Sequence, residues 1–114
     1  MTGCRTLNGI IRSTDGLQEV KKECLSPGDR LFVKTSKSVY QIRVLGQGRY
    51  EVAGGWFEKK GIAPAVVSIA GCTWGGSTIK VDIVAACGLR MEFGNRLVTS
   101  PVRKIFVLAH ELDN

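Results

Sequence analysis

The chain has almost no histidine. His110 is the only one, and it sits in the polar tail, residues 109–114. A general base there would be hard to hold rigidly, because chain tails are usually the least ordered part of a domain. No Ser/His/Asp constellation, G-x-S-x-G elbow or H-E-x-x-H motif occurs. Asp82 and Glu92 flank a bend at Gly88 and could face each other across a hairpin. Lys80 and Arg90 lie equally near and would pair with them. Nothing separates two carboxylate pKa values, as general acid–base chemistry requires. The sequence therefore points away from an enzyme.

Cysteine is present but lacks ligand spacing. Cys4, Cys24, Cys72 and Cys87 include no C-x-x-C pair, so neither a metal site nor a cofactor is indicated. Paired cysteines would leave three connectivities open. The first residues carry no secretory signal, so the thiols are expected to be reduced. Cys72 and Cys87 fall in apolar, strand-like runs, where free cysteine acts as a small hydrophobe. Long apolar runs are missing too: none approaches the roughly 18 residues of a membrane span. The expectation is a soluble, cytoplasmic protein with no membrane partner.

What the chain does have is glycine and positive charge. Fourteen of the 114 residues are glycine, well above the usual share of about 7%. They fall mostly between apolar runs, where turns, bulges and barrel corners use them. The chain is 44% hydrophobic and 23% charged, close to the globular averages of about 45–50% and 25%, which argues against global disorder. The length suits a single domain over residues 1–114, with residues 1–8 and 109–114 expected to be flexible. The net charge of +6 favours acidic partners such as nucleic acid. A magnitude of about 2–8 is also ordinary for solubility alone.

Hydrophobic periodicity is mostly that of strands. Residues 14–25, TDGLQEVKKECL, are the one helix candidate, with Leu17, Val20 and Cys24 on one stripe. A short strand through Gln18–Lys22 competes with it. Ile10-Ile11 reads as a short strand or arm. Ser26-Pro27-Gly28-Asp29 is a turn. Leu31, Val33 and Thr35 then alternate with Arg30, Phe32 and Lys34; Tyr40, Ile42 and Val44 alternate with Gln41 and Arg43. Arg49–Val52 follows as a third strand, and the short connections make the meander antiparallel. Ala65–Ala70 is a further run. Residues 71–101 read as a β-ribbon with Ile79, Val81, Ile83, Leu89, Met91 and Phe93 as core candidates, and Asp82–Leu89 as a rival helix. Val102–Leu108 alternates again, with Ile105 and Val107 against Lys104 and Phe106. The spacing predicts an all-β fold: a small, partly open antiparallel β-barrel of about five to seven strands. At most one short N-terminal helix joins it.

Three candidate sites emerge. Residues 30–49 carry Arg30, Lys34, Lys37, Arg43 and Arg49 and no acid, and Phe32 shares a face with Arg30, Lys34 and Arg43. Cations for phosphate beside a ring for a base is the composition of a nucleic-acid platform. A solvated outer face, with Phe32 tucked against a neighbour, is the plain alternative. Trp56-Phe57, bounded by glycines, either plugs one end of the barrel or forms an exposed contact for a protein partner or a second copy. Trp74-Gly75-Gly76-Ser77 could converge backbone N–H groups on an anion. It lacks the P-loop spacing, and a hairpin corner is its plainer reading. The functional expectation is a non-catalytic binding module, with a homo-oligomeric assembly module as the alternative.

Overall fold

The Ser26–Asp29 turn launches the main sheet. Gly28 adopts a positive φ of 95°, and its N–H donates to the Val44 carbonyl at 2.8 Å. Asp29 is fully buried, and its Oδ2 accepts the Ser26 N–H three residues back at 2.9 Å, which closes the turn at the mouth of the sheet. A computed structural model describes residues 18–75 and 78–109. The Ile10-Ile11 arm, the start of the helix candidate, Gly76, Ser77 and His110 lie outside the described residues.

The fold is all-β and antiparallel, as the sequence predicts. The strands are β1 (Glu19–Lys21), β2 (Arg30–Thr35), β3 (Val39–Gly46), β4 (Arg49–Gly54), β5 (Ala65–Val67), β6 (Ile69–Gly75), β7 (Thr78–Lys80), β8 (Ile83–Ala86), β9 (Arg90–Phe93) and β10 (Val102–Leu108). They form a five-stranded sheet β10-β2-β3-β4-β5, a three-stranded sheet β7-β6-β9 and the pair β1-β8. The strands outnumber the expected runs because short turns cut several runs in two. At Ser68 the chain passes from β5 in the large sheet to β6 in the small one, a corner of the kind that joins packed sheets.

The inward residues alternate as the sequence implies. Leu31, Val33, Tyr40, Ile42, Val44, Tyr50 and Val52 are buried on the large sheet, and Cys72, Met91 and Phe93 on the small one. All belong to one continuous core cluster among the described residues. β8 is different: all four of its residues, Ile83–Ala86, are buried. A strand covered on both faces carries no alternation to read.

Four sequence expectations are corrected. The stretch 14–25 is not a helix where described; β1 is followed by a 3-10 turn over Lys22–Cys24. Val20 points inward from a strand with burial exposed–buried–exposed, as the competing strand reading of Gln18–Lys22 had it; Leu17 lies outside the described residues. Val81 is 61% exposed, because the chain turns at Val81-Asp82 instead of continuing the alternation. Asp82 and Glu92 do not face each other: β9 pairs with β6, which sets Glu92 opposite Gly71. Ala109, assigned to the loose tail, is buried.

The one α-helix, α1 (Gly55–Lys59), lies where a glycine-bounded loop was expected. Gly54 and Gly55 enter it at φ 92° and 51°. A Cβ on Gly54 would meet the Val39 carbonyl oxygen, and one on Gly55 the Tyr40 ring. The two glycines thus let the chain turn tightly over the end of the sheet.

Candidate functional site

The outer face of the large sheet gathers the basic residues that the sequence singles out. Arg30, Phe32 and Lys34 project from β2, and Gln41 and Arg43 from β3, all exposed. Phe32 is 37% exposed, so it is not tucked away beneath a neighbour. Arg49, at the start of β4, shares the face with Glu51 and stands at its rim. Lys37 lies at the opposite end, in the β2–β3 turn; its backbone N–H donates to Thr35 Oγ1 and Ser100 Oγ, both at 3.3 Å.

The strand order adds residues that no local reading could place. β10 runs beside β2, and its register sets Phe106 opposite Phe32 and Lys104 opposite Lys34. On the other flank Arg30 stands opposite Arg43. Two aromatic rings therefore occupy the middle of the face, with a cation pair on either side along the strands. Like charges directly opposite each other in a sheet are destabilising. This face keeps two such pairs. The alternation of residues 102–108 already groups Lys104 with Phe106; only the pairing of β10 with β2 was hidden.

Arg43 is partly neutralised. Its Nε and Nη2 donate to Glu51 Oε1 at 3.1 and 3.0 Å, across the register that pairs Arg43 with Glu51. This exposed cross-strand pair is worth at most about 1 kcal/mol. An open groove of about 220 Å³ runs over this part of the face, lined by Arg30, Phe32, Gln41, Arg43, Glu51 and Pro64. That is less than the roughly 300–1,000 Å³ of an enclosing small-molecule site. It suits a flat group laid on the sheet.

The other two candidates divide. Phe57 is fully buried. It packs edge-on to Phe93 at 5.2 Å, to Trp56 at 5.3 Å and to Tyr40 at 6.3 Å between centroids. It thus ties α1 to the large sheet through Tyr40 and to the small one through Phe93, and cannot serve as an exposed contact. Trp56 is half-buried against the core, with the Lys60 ammonium 6.0 Å above its ring. Trp74 is 59% exposed at the end of β6, and the Lys80 ammonium lies 5.7 Å from its ring centroid. Gly75 pairs with Thr78, so β6 and β7 run antiparallel into this corner, whose Gly76 and Ser77 lie outside the described residues.

The cysteines are not all reduced. Cys24 is disulfide-bonded, which corrects the expectation of reduced thiols throughout; Cys72 and Cys87 are not in disulfides. Burial pushes the Cys72 thiol up from about 9 to about 11, so it stays protonated and unreactive near neutral pH. Its Sγ donates to the Val84 carbonyl at 3.4 Å. Among the described residues, no group of three or more His, Cys, Asp or Glu side chains is placed to hold a metal ion. Nor is any helix among them long and apolar enough to cross a membrane.

No family model, curated protein or solved structure matches this chain. The functional reading rests on the face itself.

Proposed function

We propose that the protein is a non-catalytic module that binds single-stranded nucleic acid on the outer face of the β10-β2-β3-β4-β5 sheet. The observation that carries this reading is the register-matched pair Phe32–Phe106, bracketed by Lys34–Lys104 and Arg30–Arg43. The exposed Phe32 ring and the half-buried Phe106 ring beside it supply stacking platforms that tolerate any base, and the cations on both sides take the phosphates. A duplex keeps its base faces stacked inside and offers these rings nothing. The repulsion within each cation pair is relieved when a phosphate binds between its members. A cytoplasmic setting, the sequence-based expectation, supplies such a partner.

The alternative is an assembly module built on edge strands and the Trp56-Phe57 segment. It loses its main anchor with the burial of Phe57. β5, one edge of the large sheet, is only three residues long and follows a proline, a combination that blunts edge pairing.

The test is fluorescence anisotropy with a labelled single-stranded oligonucleotide of about ten nucleotides, a length within the site sizes of comparable β-sheet binders. Lys34 and Lys104 are both exposed, so Lys34→Glu with Lys104→Glu should leave the fold intact by circular dichroism. Binding should fall at least about tenfold, because two phosphate contacts become repulsions. Unchanged affinity in the folded double variant would sink the proposal.

A further inference from the structure

Glu51 is the one acid on this face among the described residues, and a purely phosphate-directed surface has no use for it. Both contacts from Arg43 go to the same oxygen, Oε1. Oε2 carries no hydrogen bond or ion pair among the described residues. The Glu51 side chain retains 32% of its exposure, and it lines the groove together with Phe32, Gln41 and Arg43. Along β2 and β3, the row Arg30–Arg43–Glu51 lies one outward position from the row Phe32–Gln41. A base resting on Phe32 therefore has the Arg43–Glu51 pair within reach of its edge.

The geometry points to base selection: we infer that Arg43 and Glu51 read the Watson–Crick edge of a guanine stacked on Phe32. This inference rests on the single-strand reading above. Guanine presents, in order, the O6 acceptor and the N1–H and N2–H₂ donors. The guanidinium of Arg43 beside the carboxylate of Glu51 presents donors next to acceptors, the complementary order. A carboxylate accepting two parallel N–H groups is a strong, charge-assisted arrangement. Adenine and cytosine each offer one amino group beside a ring acceptor. Uracil offers N3–H between two carbonyls, which the carboxylate repels. The clamp from Arg43 holds Glu51 in place before the base arrives, which lowers the ordering cost of the contact.

The experiment compares three short single-stranded RNAs by anisotropy: all uridine, the same with one central guanosine, and the same with inosine there, which lacks the N2 amino group. Wild type should prefer the guanosine RNA over the all-uridine one by about tenfold, within the discrimination expected of a bidentate base contact. Inosine should fall between them. Glu51→Gln keeps the shape and removes the carboxylate. It should lose the guanosine preference while binding all-uridine RNA at least as well, because a negative charge has left the face. Retained binding also reports that the variant is folded. Equal wild-type affinity for guanosine and all-uridine RNA would overturn the selection while leaving single-strand binding intact. So would a guanosine preference that survives in Glu51→Gln. No binding of any of the three RNAs would overturn both.

Discussion

Phe106 shows how a residue's role can depend on a neighbour distant in sequence. Its strand places it outward, and its register places it opposite Phe32. The ring is half-buried on the outer face, so truncating it should cost a modest amount of stability without unfolding the domain. In the binding reading, the ring instead stacks a base, a contact worth about 1–3 kcal/mol by alanine substitution. Phe106→Ala should therefore weaken oligonucleotide binding by roughly tenfold, with only a modest drop in melting temperature. A melting temperature that collapses would make Phe106 structural; unchanged binding would remove it from the face. Phe57 is the opposite case. Sequence left it between plug and contact, and only its packing against Tyr40 and Phe93 decides for the plug.

At the scale of elements, the long alternating runs were legible and the short or doubly covered ones were not. β2 and β3 bury every second residue, so period two gave both their extent and their outward faces, and with those the basic half of the site. β8 is buried throughout, and its alanines suggested helix as readily as strand. The helix α1 was hidden by its own entry, since paired glycines usually signal a loop. Those glycines make a test. At Gly54 the backbone has a positive φ and passes against the Val39 carbonyl. Gly54→Ala adds strain of about 1–3 kcal/mol from the dihedral alone, and the clash adds to it. Chemical denaturation should show a loss of at least about 2 kcal/mol. Gly48, also at positive φ but with open space around it, should lose less on the same substitution.

For the whole molecule, strand order was the missing information. Composition gave a basic, glycine-rich β-protein, but no local pattern says that the last strand lies beside β2 rather than beside β9. Without that neighbour, the face shows one ring and no bracketing lysine pair. The charge carries its own prediction. Arg43 is half-committed to Glu51, so Arg30, Lys34 and Lys104 are the cations most free to displace counterions. About three phosphates at a slope near 0.7 each give a plot of log affinity against log salt with a slope of roughly −2. A titration between low and moderate salt measures it. A slope near zero would rule out an electrostatic face.

The pairing of β10 with β2 also has a consequence in time. A chain emerging from synthesis makes β2, β3 and β4 early, and those can zip together locally. Phe106 and Lys104 arrive only when almost all of the described chain has been made. Closing that long loop is the slowest kind of contact to form, so the two-ring face is assembled late. Until then, half of each aromatic and lysine pair is missing, and an unfinished chain carries no complete two-ring face.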